Sequence, residues 1–123
     1  MTTRDVVFGF LEAVRAGKAW EAFLSEELQF TNFTEPVKRV MGKEASVAGL
    51  RRFYAMVTTI EVGNILVDGH RACALTHYQL QPPGGAPFES HVAELFEVVD
   101  GKIAAFGIYF DSVPYPRPAM PTG

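Results

Sequence analysis

The stretch FESHVAELFEVVDGKIAAFGIYFD, residues 88–111, decides the fold. Through Phe88, Ser90, Val92, Glu94, Phe96 and Val98 the side chains of one parity are mostly apolar, the period of a strand rather than a helix. Asp100-Gly101 interrupts the run at its middle, and both residues accept positive φ. The reading is a hairpin of two long strands, 88–99 and 102–111. Working outward, Asp68-Gly69 repeats the signal between strands at 59–67 and 71–81, and Pro82-Pro83-Gly84-Gly85 makes a looser turn between the two longest strands.

Upstream the period changes. Thr2 or Thr3 can cap a helix with Asp5 in its first turn, Val7, Phe10, Leu11 and Val14 recur at helical spacing, and Gly17 stops it. A short second helix is predicted over 19–24, with Trp20, Phe23 and Leu24 on its apolar side. A strand follows over 28–33, and Val37 to Met41 form a short extended piece. A third helix opens at Gly42-Lys43-Glu44 and buries Val47, Leu50, Phe53, Tyr54 and Val57. Helices first and a strand meander second predict an α+β fold, with three N-terminal helices on the concave face of a curved antiparallel sheet.

The chain has 123 residues, with 48% hydrophobic and 20% charged, which is enough for one self-sufficient core and too little for two. Residues 1–111 are read as that domain and 112–123, with Pro114, Pro116, Pro118 and Pro121, as an extended surface tail. A balance of 11 basic against 14 acidic residues argues against a nucleic-acid partner. No apolar run is long enough for a membrane helix, and the N-terminal residues lack a secretory pattern, so a cytoplasmic location is expected. Cys73 is alone, which excludes an internal disulfide, and its neighbours Ala72, Ala74 and Leu75 suit an inert thiol.

The order helix, short helix, strand, helix, four long strands resembles the nuclear transport factor 2-like superfamily, a cystatin-like roll. That superfamily includes ketosteroid isomerase, limonene epoxide hydrolase, scytalone dehydratase and the SnoaL-like polyketide cyclases. The strings that carry the resemblance are Ala48-Gly49-Leu50-Arg51-Arg52-Phe53-Tyr54-Ala55, Asp100-Gly101-Lys102-Ile103 and Ile108-Tyr109-Phe110-Asp111. The resemblance implies a cone-shaped sheet around a pocket lined by Trp20, Phe30, Tyr54, Val92, Phe96, Phe106 and Ile108. Each aromatic alone reads better as core filling; as a set, by the resemblance, they fit a cavity for a small, largely apolar or carbonyl-containing ligand.

Glu94 stands out because its same-parity neighbours, Val92 and Phe96, are apolar. On a concave face its carboxyl would be buried and its pKa raised, leaving an acid able to donate to a developing oxyanion. By resemblance it falls where ketosteroid isomerases keep their oxyanion-hole acid, and Thr34-Glu35-Pro36-Val37 resembles the segment that carries their general base. Glu94 and Glu35 are thus the candidate catalytic pair, while Tyr54, Asn32, Thr76 and Tyr78 would orient the ligand. The isomerases' essential Tyr on the first helix corresponds to Phe10. The charged set of the epoxide hydrolases is replaced by Thr76, Tyr78 and Ile108, which excludes their chemistry. The implied function is cofactor-free acid–base catalysis of isomerase, dehydratase or cyclase type. A non-catalytic small-molecule-binding or dimerisation domain of the same fold is the alternative.

His77 and His91 have the parity opposite to Glu94 and are placed on the outer face with Gln79 and Glu89. No two histidines show metal-ligand spacing, so no metal is expected. No phosphate-binding glycine loop is present, and no nucleotide, haem or flavin site is inferred. Ile103, Ala105, Gly107 and Tyr109, with Leu75, Ala93 and Leu95, give the outer face little charge. A homodimer packing this face is predicted, with cover by the C-terminal tail as the alternative.

Overall fold

The computed structural model describes residues 1–34 and 36–115. The elements are α1 (Thr3–Ala16), a 3₁₀ turn (Trp20–Phe23), β1 (Leu24–Asn32), β2 (Lys38–Met41), α2 (Lys43–Tyr54), β3 (Val57–Asp68), β4 (Arg71–Leu80), β5 (Phe88–Val99) and β6 (Lys102–Phe110). The six strands form one curved, unclosed sheet in the order β2-β1-β6-β5-β4-β3. Neighbours are antiparallel except β1, which runs parallel to β6.

α1 begins where the sequence places it. The Thr2 hydroxyl accepts from the Asp5 N–H and the Asp5 carboxylate accepts from the Thr2 N–H, a reciprocal capping box. Gly17 ends it in the left-handed region, at φ 67°. Val6, Val7, Phe10 and Leu11 are wholly buried against the sheet. The Thr3 hydroxyl donates to the Gly69 carbonyl, tying the start of α1 to the β3–β4 turn.

Among the described residues there are two α-helices rather than three. The segment read as a second helix is a four-residue 3₁₀ turn without a side-chain cap, and Leu24 is already extended. β1 therefore starts at Leu24, with Leu24 and Leu28 both in the core. α2 stops at Tyr54, and Val57, read as its last buried residue, opens β3 opposite Leu80. At the β3–β4 turn the central pair is Gly69-His70 rather than Asp68-Gly69, with Gly69 at φ 60°. At the β5–β6 turn both Asp100 (φ 50°) and Gly101 (φ 76°) take positive φ, as the sequence requires.

One face assignment changes. The β5–β6 register slips between Glu97, opposite Ala105, and Val98, opposite Ile103. This bulge turns Ile103 inward, into the core, instead of onto the outer face. The rest of the outer face is as read: Leu75, Leu95 and Tyr109 are 45%, 37% and 50% exposed, and Phe33 stacks on Tyr109 at 4.8 Å. No helix among the described residues is long and apolar enough to cross a membrane.

Candidate functional site

A cavity of about 260 Å³ lies between α2 and the inner faces of β1, β5 and β6. An aromatic cluster adjoins it through Phe106. Phe10 meets Trp20, Phe96 and Phe106 edge-on at 6.3, 5.9 and 5.6 Å, and Phe96 stacks on Phe106 at 4.7 Å. This cluster explains two departures from the expected lining: Trp20 and Phe96 are packed into it and are not among the residues that line the cavity. Phe30, Val92, Phe106 and Ile108 do line it, with Phe53 and Phe110 besides.

The polar end is set by three strands and a helix. Glu94 is opposite Ala74 of β4 on one side and Ile108 of β6 on the other, so a small and a branched neighbour flank it. The whole residue is only 2% exposed. Tyr78, four residues along β4 from Ala74, leans over and donates from its hydroxyl to Glu94 Oε1 at 2.7 Å. Phe53 packs edge-on to the Tyr78 ring at 5.2 Å and fixes it. Tyr54, the last residue of α2, is held edge-on by Trp20 at 5.0 Å. Glu94 Oε2 and Tyr54 Oη are both buried without a hydrogen-bond partner. Such groups are costly in a folded interior, and each keeps an unused hydrogen-bonding capacity.

Burial pushes the Glu94 carboxyl up to about 7, although the Tyr78 hydroxyl favours its ionised form. Among the described residues no cation pairs with it. Burial and the neighbouring Glu94 charge raise Tyr54 and Tyr78 well above the ordinary phenol value, so both stay protonated donors at neutral pH.

Thr76, expected to touch ligand, instead is buried in the sheet and donates to the Val92 carbonyl at 3.3 Å. Asn32 lines the cavity, and its Oδ1 accepts from the Thr34 N–H at 3.0 Å. Exposed Lys38 and Arg52 contribute to the lining. Glu35 lies outside the described residues. Tyr115 is the residue that sequence reading missed. It falls in the segment 112–123 that the sequence marks as an extended tail, yet it lines the cavity, donates from its hydroxyl to Ser90 Oγ at 2.7 Å and packs on Phe88 and Phe110 at 4.9 and 4.7 Å. The available signal was a lone aromatic between two prolines.

A profile of the SnoaL-like domain matches residues 7–106. A search of curated proteins finds no match. Among solved structures, an NTF2-like protein from Burkholderia thailandensis superposes with a TM-score of 0.80 at 19% identity, covering 93% of this chain and 94% of that one. A Mesorhizobium loti protein named for the SnoaL-like polyketide cyclases gives 0.75 at 20% identity, covering 89% and 99%. An LEH-like epoxide hydrolase from M. tuberculosis gives 0.75 at 25% identity, covering 91% and 84%. With fold and profile in agreement, the chain belongs to the SnoaL-like domain family, of NTF2-like fold.

Proposed function

We propose that the chain is a cofactor-free acid–base enzyme acting on a small, mostly apolar carbonyl compound, by isomerisation, dehydration or cyclisation. The observation that carries this reading is the pair of unpartnered buried oxygens, Glu94 Oε2 and Tyr54 Oη, at the polar end of an apolar cavity. With Glu94 protonated, both donate to one carbonyl oxygen. A base removes the proton on the adjacent carbon, the C–H electron pair moves into the new C–C double bond, and the carbonyl oxygen takes up the charge as an enolate held by the two donors. The base is assigned to Glu35 on its sequence context.

The test is hydrogen–deuterium exchange next to the carbonyl of simple enones and β-keto compounds in D₂O. Wild type should exceed buffer, and Glu94→Gln and Tyr54→Phe should each lower the rate by roughly 10²–10³. Equal exchange in wild type and Glu94→Gln removes Glu94 from the mechanism. One observation favours a second reading, that of a binding protein: among the described residues Glu94 is the single carboxylate lining the cavity. Calorimetric binding of the same compounds without exchange above buffer would select it.

The outer face, with exposed Leu75, Leu95 and Tyr109, is proposed to pack against a second copy about a twofold axis. Sedimentation at micromolar concentration should give twice the 13.5 kDa chain mass; the chain mass itself would refute the dimer.

A further inference from the structure

A second cluster of chemically capable side chains lies on the outer face, away from the cavity. His77 and His91 are direct partners across the β4–β5 ladder, and their rings stack at 4.5 Å and 16°. Glu89, two residues before His91 on the same face of β5, brings Oε2 to 3.1 Å from His77 Nε2. One ligand atom from each of these three residues lies within 4.8 Å of the other two. On the other side, Glu61 is the β3 partner of His77 and brings its Oε2 to 3.9 Å from His77 Nδ1.

We infer that His77, Glu89 and His91 form a binding site for a divalent transition cation such as Zn²⁺, with Glu61 orienting His77. Ligand atoms about 2.0–2.1 Å from one tetrahedral zinc lie roughly 3.3 Å from each other. The His77–Glu89 pair already has that separation, and the wider gap in the cluster closes by rotamer changes of His91 and Glu89, both exposed at the rim. Two imidazoles with one carboxylate suit zinc, copper or nickel and not calcium or magnesium, which take all-oxygen sites. A cation at Nε2 would replace the proton shared there with Glu89, and Glu61, 3.9 Å from Nδ1, faces the ring nitrogen that then keeps its proton. Three protein ligands leave a fourth position open. The ladder, not chain spacing, creates the site, since the two histidines stand far apart in sequence.

The experiment is isothermal titration of the untagged, chelator-stripped chain with ZnCl₂, backed by equilibrium dialysis. The expected result is saturable uptake of one zinc per chain, not displaced by excess Ca²⁺ or Mg²⁺. His77→Asn and His91→Asn should each abolish it with the far-UV circular dichroism unchanged. Glu61→Gln, which removes a negative charge near Nδ1 and leaves the three ligands in place, should weaken it less than either histidine change does. Glu89→Gln, at an exposed position, is the variant to read if a histidine change disturbs folding, and should also weaken uptake. No saturable uptake by wild type, or uptake that survives both histidine changes, overturns the site. Uptake per chain decides the matter whether this face is free or packed on a second copy.

Discussion

Replacing Glu94 by Gln should change how stability depends on pH, with a sign opposite to that of an ordinary salt-bridged carboxylate. In the folded chain Glu94 titrates at about 7, against 4.5 for an ordinary Glu. Between those values the folded chain holds a proton that the unfolded chain has released. The stabilisation is therefore fully present below 4.5, is lost as pH rises through about 7, and stays lost above it. At about 1.36 kcal/mol per pH unit, the gap amounts to about 3 kcal/mol. Gln keeps the shape and an oxygen for the Tyr78 hydroxyl but cannot ionise. The difference in unfolding free energy, wild type minus Glu94→Gln, should thus fall by about 3 kcal/mol from pH 4 to pH 8.5. In melting temperature this is roughly 10 °C for a chain of this size. Urea or thermal denaturation of both proteins across that range measures it, and other titrating groups cancel in the difference. A difference that stays flat, or rises with pH, refutes a carboxyl kept neutral by burial.

Tyr78→Phe removes the one hydrogen bond to Glu94 Oε1; the Glu94 midpoint should move further up, seen as a shift of the same stability window to higher pH. Gly63→Ala should destabilise by about 1–3 kcal/mol in urea denaturation, because the added Cβ would stand 2.9 Å from the Leu75 carbonyl oxygen, a backbone atom that cannot swing aside. Gly49→Ala, inside α2 with only the tip of Arg52 within 4 Å, should stabilise by about 0.5–1 kcal/mol in the same assay. Thr2→Ala, which breaks the α1 capping box, should cost about 1 kcal/mol.

The sheet was legible because its signals are local. Asp100-Gly101 marks a turn whose two residues must take positive φ, and alternation from Phe88 to Val98 puts Glu94 inside and His91 outside without reference to the rest of the chain. The misreadings share one cause: the deciding partner is distant in sequence. Ile103 turns inward because of a bulge against Val98 that no alternation pattern shows. Leu24 is a strand residue because Ile103 of β6 pairs with it. Thr76 has the inward parity but spends its hydroxyl on the Val92 carbonyl, and Trp20 packs edge-on against Phe10 and Tyr54. Alternation also put His77, His91 and Glu89 on one face, but their closeness depends on the β4–β5 register, and the place of Tyr115 depends on its packing against Ser90, Phe88 and Phe110.

The most direct measurement is the ionisation of Glu94 itself, followed by the side-chain carboxyl ¹³C shift of glutamate-labelled protein and assigned by its loss in Glu94→Gln. A titration midpoint near 7 is expected. A midpoint between 4 and 5, in the range of the solvent-exposed glutamates, would contradict a neutral acid waiting in the cavity and with it the proposed chemistry.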